Sequence, residues 1–144
     1  MKRIYLLVAT CLFGGGFSTP ILAATWVPVA GNESMAAEVD RDSMRRTGPK
    51  VKVWVRWLYV EPAELKGVYP KLTFQSLKSL AIYNCADKTN INLQEVFYAE
   101  RDGGQVVKTN VVPETATGYD EVIPDSMGEA ILRFVCDETA RKRK

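Results

Sequence analysis

The chain has 144 residues, 19 of them basic and 17 acidic, with three cysteines and no histidine. The length fits one domain with a fair core, and the lack of histidine removes Cys–His nucleophiles, Ser–His–Asp triads and imidazole zinc sites together. Two basic residues, Lys2 and Arg3, stand at the start and every acidic residue lies beyond residue 24, so the chain from residue 25 onward is formally neutral and has no general attraction to nucleic acid or membrane.

Residues 1–24 read as a secretory signal peptide. A basic start is followed by the apolar run IYLLVATCLF, three glycines and the small-residue exit Ala23-Ala24; the run is too short and too broken by glycine for a comfortable membrane span. Leu22 lies three residues before the expected cut, where a smaller side chain is preferred. Cys11 sits inside the apolar run behind Thr10, a poor residue before a lipoprotein cut, so it is read as part of the discarded segment.

The expected domain, 25–144, opens with a short strand at residues 26–30 and a turn at Gly31-Asn32-Glu33-Ser34. A second strand at 36–39 runs into the polar turn 40–43, and residues 45–49 read as another turn. The strongest strand is VKVWVRWLYV, residues 51–60. Val51, Val53, Val55, Trp57 and Tyr59 share one face; Lys52, Trp54, Arg56, Leu58 and Val60 share the other. The second face becomes apolar along its length, so Trp54, Leu58 and Val60 are expected to be covered. Glu61-Pro62 is expected to end the strand, with residues 61–74 forming the longest loop, the kind of segment that often carries function.

Residues 77–85 alternate again, Ala81, Tyr83 and Cys85 on one side and Leu80 and Ile82 on the other. The runs 93–100 and 105–112 flank Arg101-Asp102-Gly103-Gly104, whose Asp-Gly supplies the backbone angles of a tight hairpin. Near the end, Ser126 and Glu129 have capping-box spacing. Met127, Ile131, Phe134 and Val135, with Leu132 and Cys136 beside them, fall on adjoining helical positions. This predicts a helix of about three turns lying on the sheet, over Trp54, Leu58 and Val60. The last four residues, Arg141-Lys142-Arg143-Lys144, form a basic tail, read as a solvated end.

With the signal removed, Cys85 and Cys136 remain. An even count in an oxidising compartment implies a disulfide; an intramolecular bridge is the first reading and an intermolecular bond its rival. The intramolecular link closes about fifty residues and contributes about 4 kcal/mol in the chain-entropy account. Other chemistry is thinly supported. The carboxylates Asp40/Asp42, Glu95/Glu100 and Asp120/Glu121 fall in turns or on polar strand faces, no nucleophile elbow or phosphate loop occurs in the domain, and no calcium loop follows Asp40. The aromatic residues, among them Trp26, Trp54, Trp57, Tyr69 and Tyr98, alternate in part with lysine and arginine, a pattern that serves stacking platforms for nucleic acid or sugar but more often serves packing; export argues against nucleic acid.

Several scattered segments resemble the surface-adhesin protein E family of exported bacterial proteins: Trp26, residues 42–46 (DSMRR), the strand 51–58, residues 76–78 leading to Asn84-Cys85-Ala86, the hairpin 98–104, and Ile123-Pro124-Asp125-Ser126 running to Val135-Cys136. The resemblance implies an α+β fold, an antiparallel sheet with a C-terminal helix tied to it by the Cys85–Cys136 disulfide. It further implies a non-enzymatic adhesin without cofactor or metal that binds host matrix or plasma proteins such as vitronectin, laminin or plasminogen and can form a homodimer. The binding residues are expected on exposed sheet edge and loop, around residues 66–78. A periplasmic structural or envelope-accessory protein with no host ligand is the alternative, and both periplasm and outer surface of a bacterium stay open as its location.

Overall fold

A computed structural model describes residues 24–115 and 118–141. Apart from Ala24, the expected signal segment lies outside the described residues, as does the basic tail beyond Arg141. The described chain is an antiparallel sheet of eight strands with one helix, α1 (Met127–Arg141). The strands are β1 (Trp26–Gly31), β2 (Met35–Asp40), β3 (Arg45–Thr47), β4 (Lys50–Glu64), β5 (Thr73–Asn84), β6 (Thr89–Glu100), β7 (Gly103–Val111) and β8 (Asp120–Glu121). They lie in the order β1-β2-β4-β5-β6-β7, with β3 also on β4 and β8 on β6.

β4 is the spine. β2 pairs with its later half and β3 with its first residues, so a gap opens in the ladder where one partner gives way to the other. Ser43 fills it: its hydroxyl accepts from the Trp54 amide at 2.9 Å and donates to the Asp40 carbonyl at 2.8 Å, leaving no main-chain donor stranded. Residues 45–49 are therefore not only a turn. Residues 45–47 form β3 because the β4 edge offers them a ladder, and Gly48, at φ 59°, makes the reversal.

Pro62 does not end β4. The strand continues to Glu64 through a register shift between Leu58 and Ala63, and a bulge is where a strand tolerates the missing proline N–H. The expected loop shrinks to residues 65–72, closed by the Leu65 amide on the Leu72 carbonyl at 2.8 Å. The β6–β7 hairpin forms as expected, Gly103 and Gly104 holding the positive φ angles, 123° and 77°.

α1 covers the opposite face of β4 from the one expected. Its Ile131, Leu132 and Val135 pack with Val51, Val53 and Val55 of β4, Ala81 and Tyr83 of β5, and Ala37 and Val39 of β2, all buried. The reason is register. Val53 pairs with Ala81 and Val51 with Tyr83, so the valine face of β4 is continuous with the face that leads to Cys85. Cys85, just past β5, bonds Cys136 in the middle of α1, with Cα atoms 5.8 Å apart. At 15 residues the helix runs to about four turns. Polar ties clamp its far end: Arg46 Nη1 donates to Thr139 Oγ1 at 2.8 Å, and Arg41 Nη2 to Glu138 at 2.8 Å.

Candidate binding face

Because α1 covers one side, the other side of the sheet carries no helix, although Ile82 and Ile91 toward one end of it and Ser76 toward the other are buried. Pairing places three rows across it. Trp54, Leu80, Gln94 and Val111 form the first; Arg56, Lys78, Val96 and Thr109 the second; Leu58, Ser76, Tyr98 and Val106 the third. Trp54 and Leu58 are half-buried among their strand neighbours, and Val60, Val106 and Val111 are exposed. No helix lies over these residues, so the cover expected for Trp54, Leu58 and Val60 is absent among the described residues.

The side chains on this face are held in place. Arg56 Nε donates to Glu38 Oε2 at 2.9 Å, Nη2 closes on the same oxygen, and the guanidinium lies 4.6 Å from the Trp26 ring centroid. Lys78 Nζ stands 4.9 Å from the Tyr98 ring. Such cation–aromatic contacts orient charge without neutralising it. Near the β6–β7 hairpin, Arg56, Leu58, Arg101 and Asp102 border a shallow depression of ≈ 370 Å³, and Arg101 is pinned by donating to the Tyr59 carbonyl at 2.7 Å.

At the opposite end Arg45, Thr47, Lys50, Lys52, Ile82 and Glu114 line a cleft of ≈ 270 Å³. Lys50 Nζ sits 3.7 Å from Glu114 and 4.5 Å from the Tyr119 ring, and the Tyr119 hydroxyl donates to Glu114 at 3.1 Å. The Tyr119 hydroxyl first, and then the Glu114 carboxylate, outweigh desolvation and push the Lys50 ammonium above its ordinary value. It stays charged throughout the physiological range.

The segment expected to bind, 66–78, is divided by the fold. Lys66, Tyr69 and Lys71 lie at or beside the tip of the β4–β5 connection, Tyr69 96% exposed and Lys71 3.2 Å from Glu64; Lys78 lies on the open face. Of the carboxylate pairs, Asp40 Oδ1 accepts from the Asp42 and Thr25 amides and Glu95 accepts from Asn110, while Asp120 and Glu121 lie in β8. Among the described residues no three carboxylates or thiols gather as metal ligands. Sequence reasoning missed Arg56 paired with Glu38 and the Arg45–Lys52 neighbourhood, both of which depend on which strands meet.

The sequence profile described as surface-adhesin protein E matches residues 26–137. The chain belongs to the surface-adhesin protein E family. The family's expected arrangement, an antiparallel sheet with a disulfide-tied C-terminal helix, is the one observed. A solved structure described as the selenomethionine form of Haemophilus influenzae protein E is similar at 18% identity, covering 81% of this chain and 93% of that one with a TM-score of 0.49. Among curated proteins none matches.

Proposed function

We propose that this adhesin E family member is an exported, non-enzymatic binding module that holds host matrix or plasma proteins, with vitronectin, laminin and plasminogen as the ligands to try first. Family membership over residues 26–137 supports the class; the observation that carries the site is the sheet face left bare opposite α1. A face with Trp54, Leu58 and Tyr98 set among Arg56, Lys78 and Arg101 has the aromatic and arginine content of protein-binding surfaces. Export through a signal peptide at residues 1–24 agrees with the Cys85–Cys136 bond, since disulfides persist in oxidising compartments. The outer cell surface is the working location, and an envelope protein confined to the periplasm is the rival reading.

The test is binding of the exported, oxidised protein to immobilised vitronectin, laminin and plasminogen across a salt series. Trp54→Ala with Leu58→Ser, and separately loss of residues 141–144, serve as comparisons. Saturable binding at physiological salt, weakened about tenfold or more by the face variant as for an interface hot spot and unchanged by loss of the tail, is expected. Absence of binding to all three, or binding that depends only on the tail, removes the adhesin reading for these ligands. Surface labelling of intact cells separates outer surface from periplasm, and sedimentation of the purified protein reads whether it is a homodimer.

A further inference from the structure

On the open face the register sets like charges directly opposite each other twice. Arg45 of β3 pairs with Lys52 of β4, and Arg56 of β4 pairs with Lys78 of β5. Directly opposed like charges weaken a sheet, and on the second rung the heads turn apart, Arg56 toward Glu38 and Trp26 and Lys78 toward Tyr98. Among the described residues the four cations have one ion-pair partner, Glu38 on Arg56. The Arg45 guanidinium donates to the Asp42 and Met44 carbonyls at 2.7 and 2.9 Å, which orients it but leaves its charge. Lys78 has the Tyr98 ring beside it. Between the two cationic rungs lies an apolar one, Trp54 opposite Leu80. Lys52 and Arg56 are four residues apart on one strand, so the rungs are about 13 Å apart.

We propose that this ladder binds a sulfated polysaccharide of the glycosaminoglycan type, lying along β4 with anionic groups on the two rungs and a sugar ring against Trp54. Each rung roots two cationic side chains on paired residues with Cβ atoms about 5 Å apart; with Glu38 offsetting Arg56, the three cations left match a chain carrying more than one anion per repeat and are in excess for hyaluronan, with its single carboxylate per repeat. A glycan wears its charges outside and its apolar surface on ring C–H faces, the complement of a cation–indole–cation row. An extended acidic peptide would instead seek the unpaired main chain of a sheet edge, which this face does not offer. The inference goes beyond the protein-binding reading and does not depend on it, although both use the same side of the sheet.

The full chain, expressed for export and purified oxidised, is titrated with a heparin oligosaccharide of defined length, with hyaluronan of equal length, and with single-stranded DNA. Lys52→Gln with Lys78→Gln is compared with Lys66→Gln with Lys71→Gln, which removes the same charge elsewhere. The ladder variant is expected to lose heparin affinity by about tenfold and to flatten its salt dependence, while the loop variant stays within about twofold. Without ligand, the ladder variant should melt within about 2 °C of the parent, as exposed charge substitutions do; that unchanged melting shows that lost binding is not lost folding. Equal loss in the two variants, DNA or hyaluronan binding as tight as heparin, or no heparin binding at physiological salt overturns the proposal. If vitronectin, laminin or plasminogen binding persists while heparin binding fails, only the glycan site is rejected.

Discussion

Ser126 and Glu129 show how few polar atoms decide where α1 begins. Ser126 Oγ accepts from the Glu129 amide at 3.2 Å, and Glu129 Oε2 reaches back to the Asp125 amide at 2.8 Å. That is one residue earlier than a strict capping box, with Asp125 at φ 58° carrying the chain into the helix. Ser126→Ala should cost about 1 kcal/mol, measured by urea unfolding. The Asp125 amide, and after it Arg133, hold the Glu129 carboxyl below its ordinary value of 4.5. A depressed carboxylate contributes stability that is complete above the ordinary value and disappears as pH falls through the native one. Glu129→Gln should therefore flatten the acid limb of stability against pH in that window and leave the neutral limb nearly level; an unchanged acid limb would contradict it. The motif was legible in the sequence because capping is local. Ser43, which closes the ladder gap at Trp54, was not, because its role exists only once β2 and β3 meet β4.

At the scale of elements, the alternation of residues 51–60 reveals a strand but not which of its faces is covered. Trp54, Leu58 and Val60 look as though they need burial more than the valines do, yet Val51, Val53 and Val55 are the fully buried ones. The deciding information is cross-strand. Ala81 and Tyr83 share the side of Cys85, and the β4–β5 register puts that side with the valines. Pro62 misled for a related reason, since a bulge within a paired strand has no local signature as strong as proline itself. The face assignment has its own test. Ile131→Ala should cost roughly 2–5 kcal/mol because it opens a cavity between helix and sheet, whereas Leu80→Ala on the bare face should cost under about 1 kcal/mol. Comparable losses from both, read by chemical denaturation, would mean that the bare face is covered.

For the whole molecule, the attachment of α1 is uneven. One side of the helix is bonded covalently through Cys136 to the end of β5, and its last turns are held by Arg46 on Thr139 and Arg41 on Glu138. The sheet is different: its pairings run continuously from β1 to β7 and do not need the helix for their hydrogen bonds. The bond spans 51 residues of sequence, so its removal restores about 4 kcal/mol of chain entropy to the unfolded state. Because its position is the helix–sheet junction, the loss should not be spread evenly. In Cys85→Ala with Cys136→Ala, amides of α1 should exchange faster than those of the central strands β4 and β5, while global stability falls by about 4 kcal/mol. Hydrogen exchange resolved by residue checks this. Uniform acceleration across sheet and helix would show that the two unfold as one cooperative unit, with the valine core rather than the bond deciding how long the helix stays. Faster exchange confined to α1 would show that the disulfide, more than the valine core, holds the helix against the sheet.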